Sequence, residues 1–308
     1  MPRYLRIQPF MGLGNRMFQY MLAEAIRRVL PDAVLCGPGL PEWGIGPVAE
    51  PPRQPFDMGL CGHTIPLQQT LALARQVPDL DIFITALSAR LCHYAPHRSH
   101  YQSLFPLSGS PSASDDQLVI NIRLGDIAGG YHPNYMPLPL RWYHDLVGQT
   151  GKRPLFMGQL GDDAYSQALR SQFPQADFMP SRGPRGDFDF FARASHIVPA
   201  ISTFSWLAAW LSPQARTIHF PVAALYNPAA RLDHDLLPLA DPRYRFYQSA
   251  LQGWSGSSAD MDYLIRGLSD FVPVGPDALQ ARFPTIGTEG LGIPSPALGS
   301  FDLALARP

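Results

Sequence analysis

Arg123 stands just past an apolar run, Leu118-Val119-Ile120-Asn121-Ile122, and is followed by Leu124-Gly125-Asp126. A run of that character, closed by Gly and Asp, predicts a buried parallel strand that leaves its sheet at Gly125. In an open α/β sheet, ligands bind in the crevice at the carboxyl ends of the strands. A guanidinium there stays charged, and its planar fork of N–H donors fits a phosphate group. The segment by itself supports a phosphate ligand and a structural ion pair with Asp126 equally well.

Two further stretches have the chemistry to meet an anion. Met11-Gly12-Leu13-Gly14-Asn15 lies between a strand and a helix. Its glycines let backbone N–H groups approach a ligand, and the helix N-terminus favours negative charge. It has neither the dinucleotide-binding spacing nor the Lys-Ser/Thr of a Walker loop, and tight packing alone explains such a turn as readily. Ile201-Ser202-Thr203-Phe204-Ser205-Trp206 puts hydroxyls at a strand-to-helix junction, where they can cap the helix or donate to phosphate. Its register predicts the same carboxyl sheet edge as Arg123. Trp206 and Trp210, four residues apart, read as core.

Other signals carry less. Four D-x-D patterns occur, at Asp79, Asp187, Asp233 and Asp260, so the pattern discriminates little. Asp187 and the Asp162-Asp163 pair read as helix caps. His93, His97 and His100 are interrupted by Pro96, which argues against a metal site built on one helix face. No Ser-His-Asp ordering or nucleophile elbow is present.

These stretches must be held by alternating strands and helices. Tyr4–Gln8 reads as a strand, with Asn15 capping a helix over Arg16–Leu30 whose Met17, Tyr20, Met21, Ala25 and Val29 share a face. Ala33–Cys36 is a strand, Gly37 to Met58 is mostly irregular, Leu67–Gln76 is a helix, Leu80–Thr85 a strand and Arg98–Leu104 a helix. Pro106 to Asp116 reads as a linker. Beyond it come strands at Leu118–Ile122, Pro154–Met157, Ala176–Met179, His196–Ile201 and Thr217–Phe220. Helices are expected at Asp162–Gln172, Asp187–Ala194 and Phe204–Leu211. The tail, rich in Gly, Pro and Ser, has one helical segment at Met261–Leu268. The pattern divides the chain into residues 1–112, 113–252 and an extension over 253–308, and predicts two doubly wound domains.

The 308 residues are 46% hydrophobic and 16% charged, as in a globular protein with a full core. The net charge of −1 gives no argument for nucleic acid or an anionic membrane surface. Lys152 is the single lysine, and with abundant Ala, Gly and Pro this reads as codon bias. Cys36, Cys61 and Cys92 form no paired pattern, which fits a reducing compartment. No signal peptide or spanning segment is read, so the expectation is a cytoplasmic protein, with peripheral membrane association left open.

Three motifs in order resemble the α-1,2-fucosyltransferases of glycosyltransferase family 11, as a divergent bacterial-type member. Gly12-Leu13-Gly14-Asn15-Arg16-Met17-Phe18-Gln19-Tyr20 is similar to that family's G-L-G-N-Q-M-F-Q-Y. Asn121 to Asp126 stands where the family has H-x-R-R-G-D. Ser202 to Leu211 is similar to S-S-F-S-W-W-G-A-W-L, and Phe156–Asp163 resembles the intervening strand and turn. The resemblance spans about Ile7 to Pro221. It implies a GT-B architecture, two Rossmann-like α/β domains facing one cleft, with the donor side at 113–252 and the acceptor side at 1–112. It implies inverting transfer of fucose from GDP-fucose to a galactose-type hydroxyl of a glycan, with no metal or other cofactor. It places Arg123 on the donor diphosphate and Asn15 at the cleft beside the sugar. Gly12, Gly14, Asn121, Ser202, Thr203, Phe204 and Ser205 then lie along the donor site.

The departures are Asn121 for His, Leu124 for the second Arg, Ile127 for Tyr and Arg16 for Gln. Asn121 and Arg123 share a side of the strand, and Leu124 points the other way, so the diphosphate-facing arginine is retained without its neighbour. Asp126 is the nearest carboxylate in sequence, as base or as loop orienter, and His63 and Asp57 lie where an acceptor could dock. Two other readings are a transferase for another nucleotide sugar in surface polysaccharide synthesis and a non-catalytic nucleotide-sugar-binding protein.

Overall fold

A computed structural model describes residues 3–8, 12–48, 56–109, 112–250 and 253–288. The first strand, β1 (Tyr4–Ile7), is followed by α1 (Leu13–Val29), β2 (Val34–Cys36), β3 (Met58–Leu60), α2 (Leu67–Gln76), β4 (Ile82–Ile84) and α3 (Arg98–Leu104). The strands pair in parallel in the order β2-β1-β4-β3. Leu5, Ile7, Ile82 and Ile84 are buried, and α1 is enclosed from Met17 to Ile26. α1 begins at Leu13, three residues ahead of the expected start at Arg16. Gly12 is its N-cap, and the Asn15 N–H donates to the Gly12 carbonyl at 3.0 Å, so Asn15 sits inside the first turn and does not cap it.

The rest of the chain builds a larger sheet. Its elements are β5 (Gln117–Ile122), α4 (Leu140–Thr150), β6 (Arg153–Gly158), α5 (Ala164–Gln172), β7 (Asp177–Phe178), α6 (Gly183–Arg193), β8 (His196–Val198), α7 (Thr203–Leu211), β9 (Thr217–Val222), β10 (Tyr244–Gln248), α8 (Ser258–Arg266), β11 (Val272–Val274) and α9 (Pro276–Arg282). The strand order is β11-β10-β9-β8-β5-β6-β7, parallel throughout except for β11 at one edge. β5 is buried along its full length, as a strand covered on both faces requires. α4, β10, β11 and α9 were not expected. α4 follows Pro137 and Pro139; Leu140, Tyr143 and Leu146 give it an apolar face and Gly151, at φ +63°, ends it.

The compact units are not a linear cut. Among the described residues, those up to 106 cluster with 232–236 and with 285–288, whereas those in 107–231 and 237–284 form the second unit. The excursion at 232–236 is held in the first unit by backbone pairing. The Asp235 N–H donates to the Ala89 carbonyl at 2.9 Å, and Leu91 N–H donates to the Asp235 carbonyl at 2.7 Å. The buried Arg90 guanidinium donates to the Thr288 carbonyl at 2.8 Å, tying down the later return. The expected extension over 253–308 is thus divided, its residues 253–284 belonging to the second unit.

Two buried imidazoles make stability depend on pH. Burial, reinforced by neighbouring cationic groups, lowers the pKa of both His93 and His219 to about 4. The unfolded chain therefore binds more protons as pH falls below the ordinary histidine value of about 6.5. Stability is full above that value and declines as pH falls toward 4. From pH 7 to pH 5 each histidine is expected to cost about 2 kcal/mol. Urea unfolding at the two pH values, with wild type and His219→Gln, measures this, and an equal pH dependence in both proteins would contradict it.

Candidate functional site

In the second unit the chain order reverses beside β5. From β5 the chain adds β6 and β7 on one side, then returns to add β8, β9 and β10 on the other. That is the order of a doubly wound nucleotide-binding sheet, whose switch point lies between its first and fourth strands. Here those strands are β5 and β8, paired in parallel with Val119 opposite Ile197 and Ile120 opposite Val198. Arg123 follows β5 and Ser202 follows β8, so both junctions lie at the carboxyl edge of the switch point, as their register predicts.

Arg123 is half-buried and Asp126 is exposed. Nη2 of Arg123 donates to both carboxylate oxygens of Asp126, each at 2.8 Å. The ion-pair reading of the segment is therefore realised. An ion pair with this much solvent contact contributes about 0.2–1 kcal/mol, little against charge-assisted bonds to a diphosphate. The second arm of the guanidinium is different: Nε is buried and has no hydrogen-bond partner among the described residues. A buried donor of that kind costs free energy until an acceptor reaches it.

The turn beside Arg123 is braced from β6. Gln159 Oε1 accepts from the Leu124 N–H at 3.0 Å, and the Gln159 N–H donates to the Ile122 carbonyl at 2.9 Å. Leu124 is buried in the core, where a second arginine would have little contact with solvent. Asn121 is also buried, against the end of β6. Gly158 permits that approach: at φ +105°, a Cβ would stand 2.4 Å from the Ile122 carbonyl oxygen and 3.0 Å from Asn121 Nδ2.

At the other junction the hydroxyls are committed to the fold. Ser202 Oγ accepts from the Ser205 N–H at 3.0 Å, capping α7. Ser205 Oγ accepts from the Ala200 N–H at 3.0 Å, and the Ser202 N–H donates to Tyr226 Oη at 3.0 Å. Both serines are buried, as is Thr203. Capping is thus the role the geometry gives to Ser202 and Ser205. Phe204 is half-buried, packed edge-to-face on Phe188 at 5.6 Å. Trp206 and Trp210 stack at 5.3 Å in the core, as expected.

The fold brings in residues that no motif announced. Tyr135 has its pKa raised by burial, against the opposing pull of Arg231 and Arg123. Burial likewise raises Tyr226 well above its usual value, and Arg123 again opposes the shift. His132 is held below its ordinary pKa by burial and by Arg231. Arg123, Arg231, Tyr135, Tyr226 and His132 therefore share one electrostatic neighbourhood, with two guanidinium groups and phenols that stay protonated. Arg231 is buried although charged, which is the usual mark of a functional or paired arginine.

The start of the tail fixes this loop. Trp254 Nε1 donates to the Ile127 carbonyl at 2.7 Å, and the Trp254 N–H to that of Pro133 at 3.1 Å. Gly130 and Gly256, both near φ +70°, let the two backbones cross where any Cβ would clash. Residues 253–257 thus act as a strap on the segment carrying Asp126, His132 and Tyr135.

The remaining candidates are distributed otherwise. Gly12, Gly14 and Asn15 lie in the first unit, at the start of α1. Gly12 has an ordinary negative φ and open space around a built Cβ, so neither strain nor protein packing requires glycine there. Arg16 pairs with Glu42 at 3.0 Å. Asp57 accepts from the Asp81 N–H at 2.8 Å. The D-x-D carboxylates serve the fold: Asp187 accepts from the Arg182 N–H and Ser181, and buried Asp189 from Arg185 and Ser108. Asp163 caps α5, as expected. His93 is bonded to Ser88 at 2.6 Å, and His100 lies 3.7 Å from Glu24, so these two of the three closely spaced histidines have separate partners. Among the described residues, His63, Asp233 and His234 form a group with metal-ligand spacing. No described helix is long and apolar enough to cross a membrane.

No protein-family model and no curated protein sequence matches the chain. Among solved structures it is similar to a mutant of FUT1 from Arabidopsis thaliana in complex with GDP, at 10% identity and a TM-score of 0.42, covering 71% of this chain and 70% of that one. It is similar to POFUT1 in an apo form, at 11% identity and 0.39, over 71% and 97% of the two chains. It is also similar to the E. coli heptosyltransferase WaaC with ADP, at 10% identity and 0.40, over 94% and 100%.

Proposed function

We propose that this chain is an inverting, metal-independent glycosyltransferase of GT-B type that moves fucose from GDP-fucose to a galactose-type hydroxyl of a glycan. The observation that carries the reading is Arg123, with a buried donor still to be satisfied, at the switch point of a doubly wound sheet. The three motifs shared with the α-1,2-fucosyltransferases supply the donor sugar. In this reading the second unit holds the nucleotide diphosphate, and Gly12, Gly14 and Asn15 of the first unit serve the sugar or acceptor.

The acceptor oxygen attacks the anomeric carbon as the bond from that carbon to the diphosphate breaks. The electron pair leaves with the diphosphate, and the acceptor proton passes to a base. Arg123 meets the growing phosphate charge with a fixed fork of donors, stronger in the transition state than in the ground state. A phosphate that takes Nη2 displaces Asp126 and frees its carboxylate. Arg231, in the same neighbourhood, adds a second positive charge. Because Leu124 replaces the expected second arginine and is part of the core, another nucleotide sugar is the second reading.

A panel of nucleotide sugars, assayed with galactose-terminated acceptors and product detection, tests the proposal. Fucosyl transfer from GDP-fucose is the expected result. Turnover with a different donor only would favour the second reading. Tight binding of every donor tried without turnover would overturn the assignment as a transferase.

A further inference from the structure

We propose that His63, Asp233 and His234 form a binding site for one Zn²⁺ ion that clamps the returning segment 232–236 onto the first unit. The three side chains each offer one ligand atom, and these atoms lie within 4.8 Å of one another. All three residues are buried, at 8%, 1% and 6% exposure. Two imidazoles and a carboxylate are a zinc donor set, and three protein ligands leave a fourth position for water. Ligands on a tetrahedral ion at about 2.0–2.1 Å stand about 3.4 Å apart, so side-chain torsions cover the difference.

The two imidazoles of the cluster lie side by side. The rings of His63 and His234 are in contact, with centroids 3.9 Å apart. Imidazole is the commonest metal-ligating side chain and can bind through either ring nitrogen. The Ala89 N–H donates to Nδ1 of His63 at 3.4 Å.

The ligands are also held from behind. Asp235, next to His234, is fixed on both backbone sides by Ala89 and Leu91, and its carboxylate accepts from the Gly287 N–H at 2.6 Å. Such outer support keeps ligands in place and tunes affinity. His63 lies in the loop after β3, and Asp233 and His234 lie in the excursion, so one ion would join two segments far apart in sequence. The site is distinct from the arginine site of the second unit and does not depend on the donor reading.

The test is a titration of the full, chelator-treated chain with Co²⁺, followed by displacement with Zn²⁺. The expected result is one equivalent of Co²⁺ with strong tetrahedral visible absorption, abolished by one equivalent of Zn²⁺, and a thermal midpoint raised by Zn²⁺. Asp233→Asn and His234→Ala are expected to weaken binding by more than the roughly 10–100-fold typical of losing an outer-shell partner, while His97→Ala leaves it unchanged. Binding well below one equivalent in the wild type overturns the proposal. So does undiminished binding in the His63→Ala/His234→Ala double variant. If the variants do not fold, the wild-type stoichiometry and spectrum decide by themselves.

Discussion

Arg123→Ala is expected to lower sugar transfer by a factor of about 10²–10³, the usual loss when one preorganised donor to a developing charge is removed. The fold should survive. Arg123 is half-buried at a loop, and its ion pair with exposed Asp126 contributes about 0.2–1 kcal/mol. Removing the guanidinium also removes its buried, unpartnered Nε. Arg123→Lys should recover part of the activity, because it keeps the charge but loses the planar fork. Asp126→Asn separates two roles: a partner displaced by phosphate can be neutralised with little loss of kcat, whereas a general base cannot. Steady-state kinetics with circular dichroism on each variant measures these effects. Near-normal turnover in a well-folded Arg123→Ala protein would contradict the catalytic role.

The largest expected effect on stability is at Trp206. Its side chain is fully buried and stacks on Trp210, with ring planes 19° apart. Trp206→Ala leaves a cavity the size of an indole and is expected to cost about 3–5 kcal/mol. The damage falls on α7, whose first turn borders the switch point, so donor binding should weaken along with stability. Trp206→Phe should lose less, since a ring still fills most of the space. Urea denaturation measures both. A loss for the alanine variant within the ±0.5 kcal/mol typical of surface substitutions would contradict this packing.

Local signals carried well into the fold where one segment sufficed to express them. The apolar run before Arg123 is β5, and the hydroxyl junction before Phe204 does cap α7. Asp163 caps α5, and helices at Leu67–Gln76 and Arg98–Leu104 have the bounds their periodicity suggested. Reading went astray where two cues competed. Asn15 has a good capping side chain, but Gly12 already turns the chain, and the helix starts earlier. α4, which follows Pro137 and Pro139, falls in a stretch to which the sequence reading assigns no element.

The site was legible only in part because most of it is made by tertiary placement. Arg123 and Ser202 could be aligned from strand register alone. Arg231, Tyr135 and His132 carry no motif, and they join Arg123 through the path of the loops after β5 and β9. Asp233-His234-Asp235 looked like one more D-x-D pattern until the return of residues 232–236 set it beside His63. A strand-crossing of that kind leaves no periodicity to read. The one available hint was charge where charge is costly: Arg231 and Asp233 lie in a largely apolar stretch that ends up buried.

Calorimetric titration of GDP into the full chain and into Arg123→Ala tests the central claim most directly, because it isolates the diphosphate from the acceptor and the chemistry. Hydrogen bonds to a charged group contribute about 1.5–3 kcal/mol, so the account predicts one saturable site whose affinity falls about 10–100-fold in the variant. Equal affinity in the two proteins, or no binding of GDP to the wild type, would contradict it.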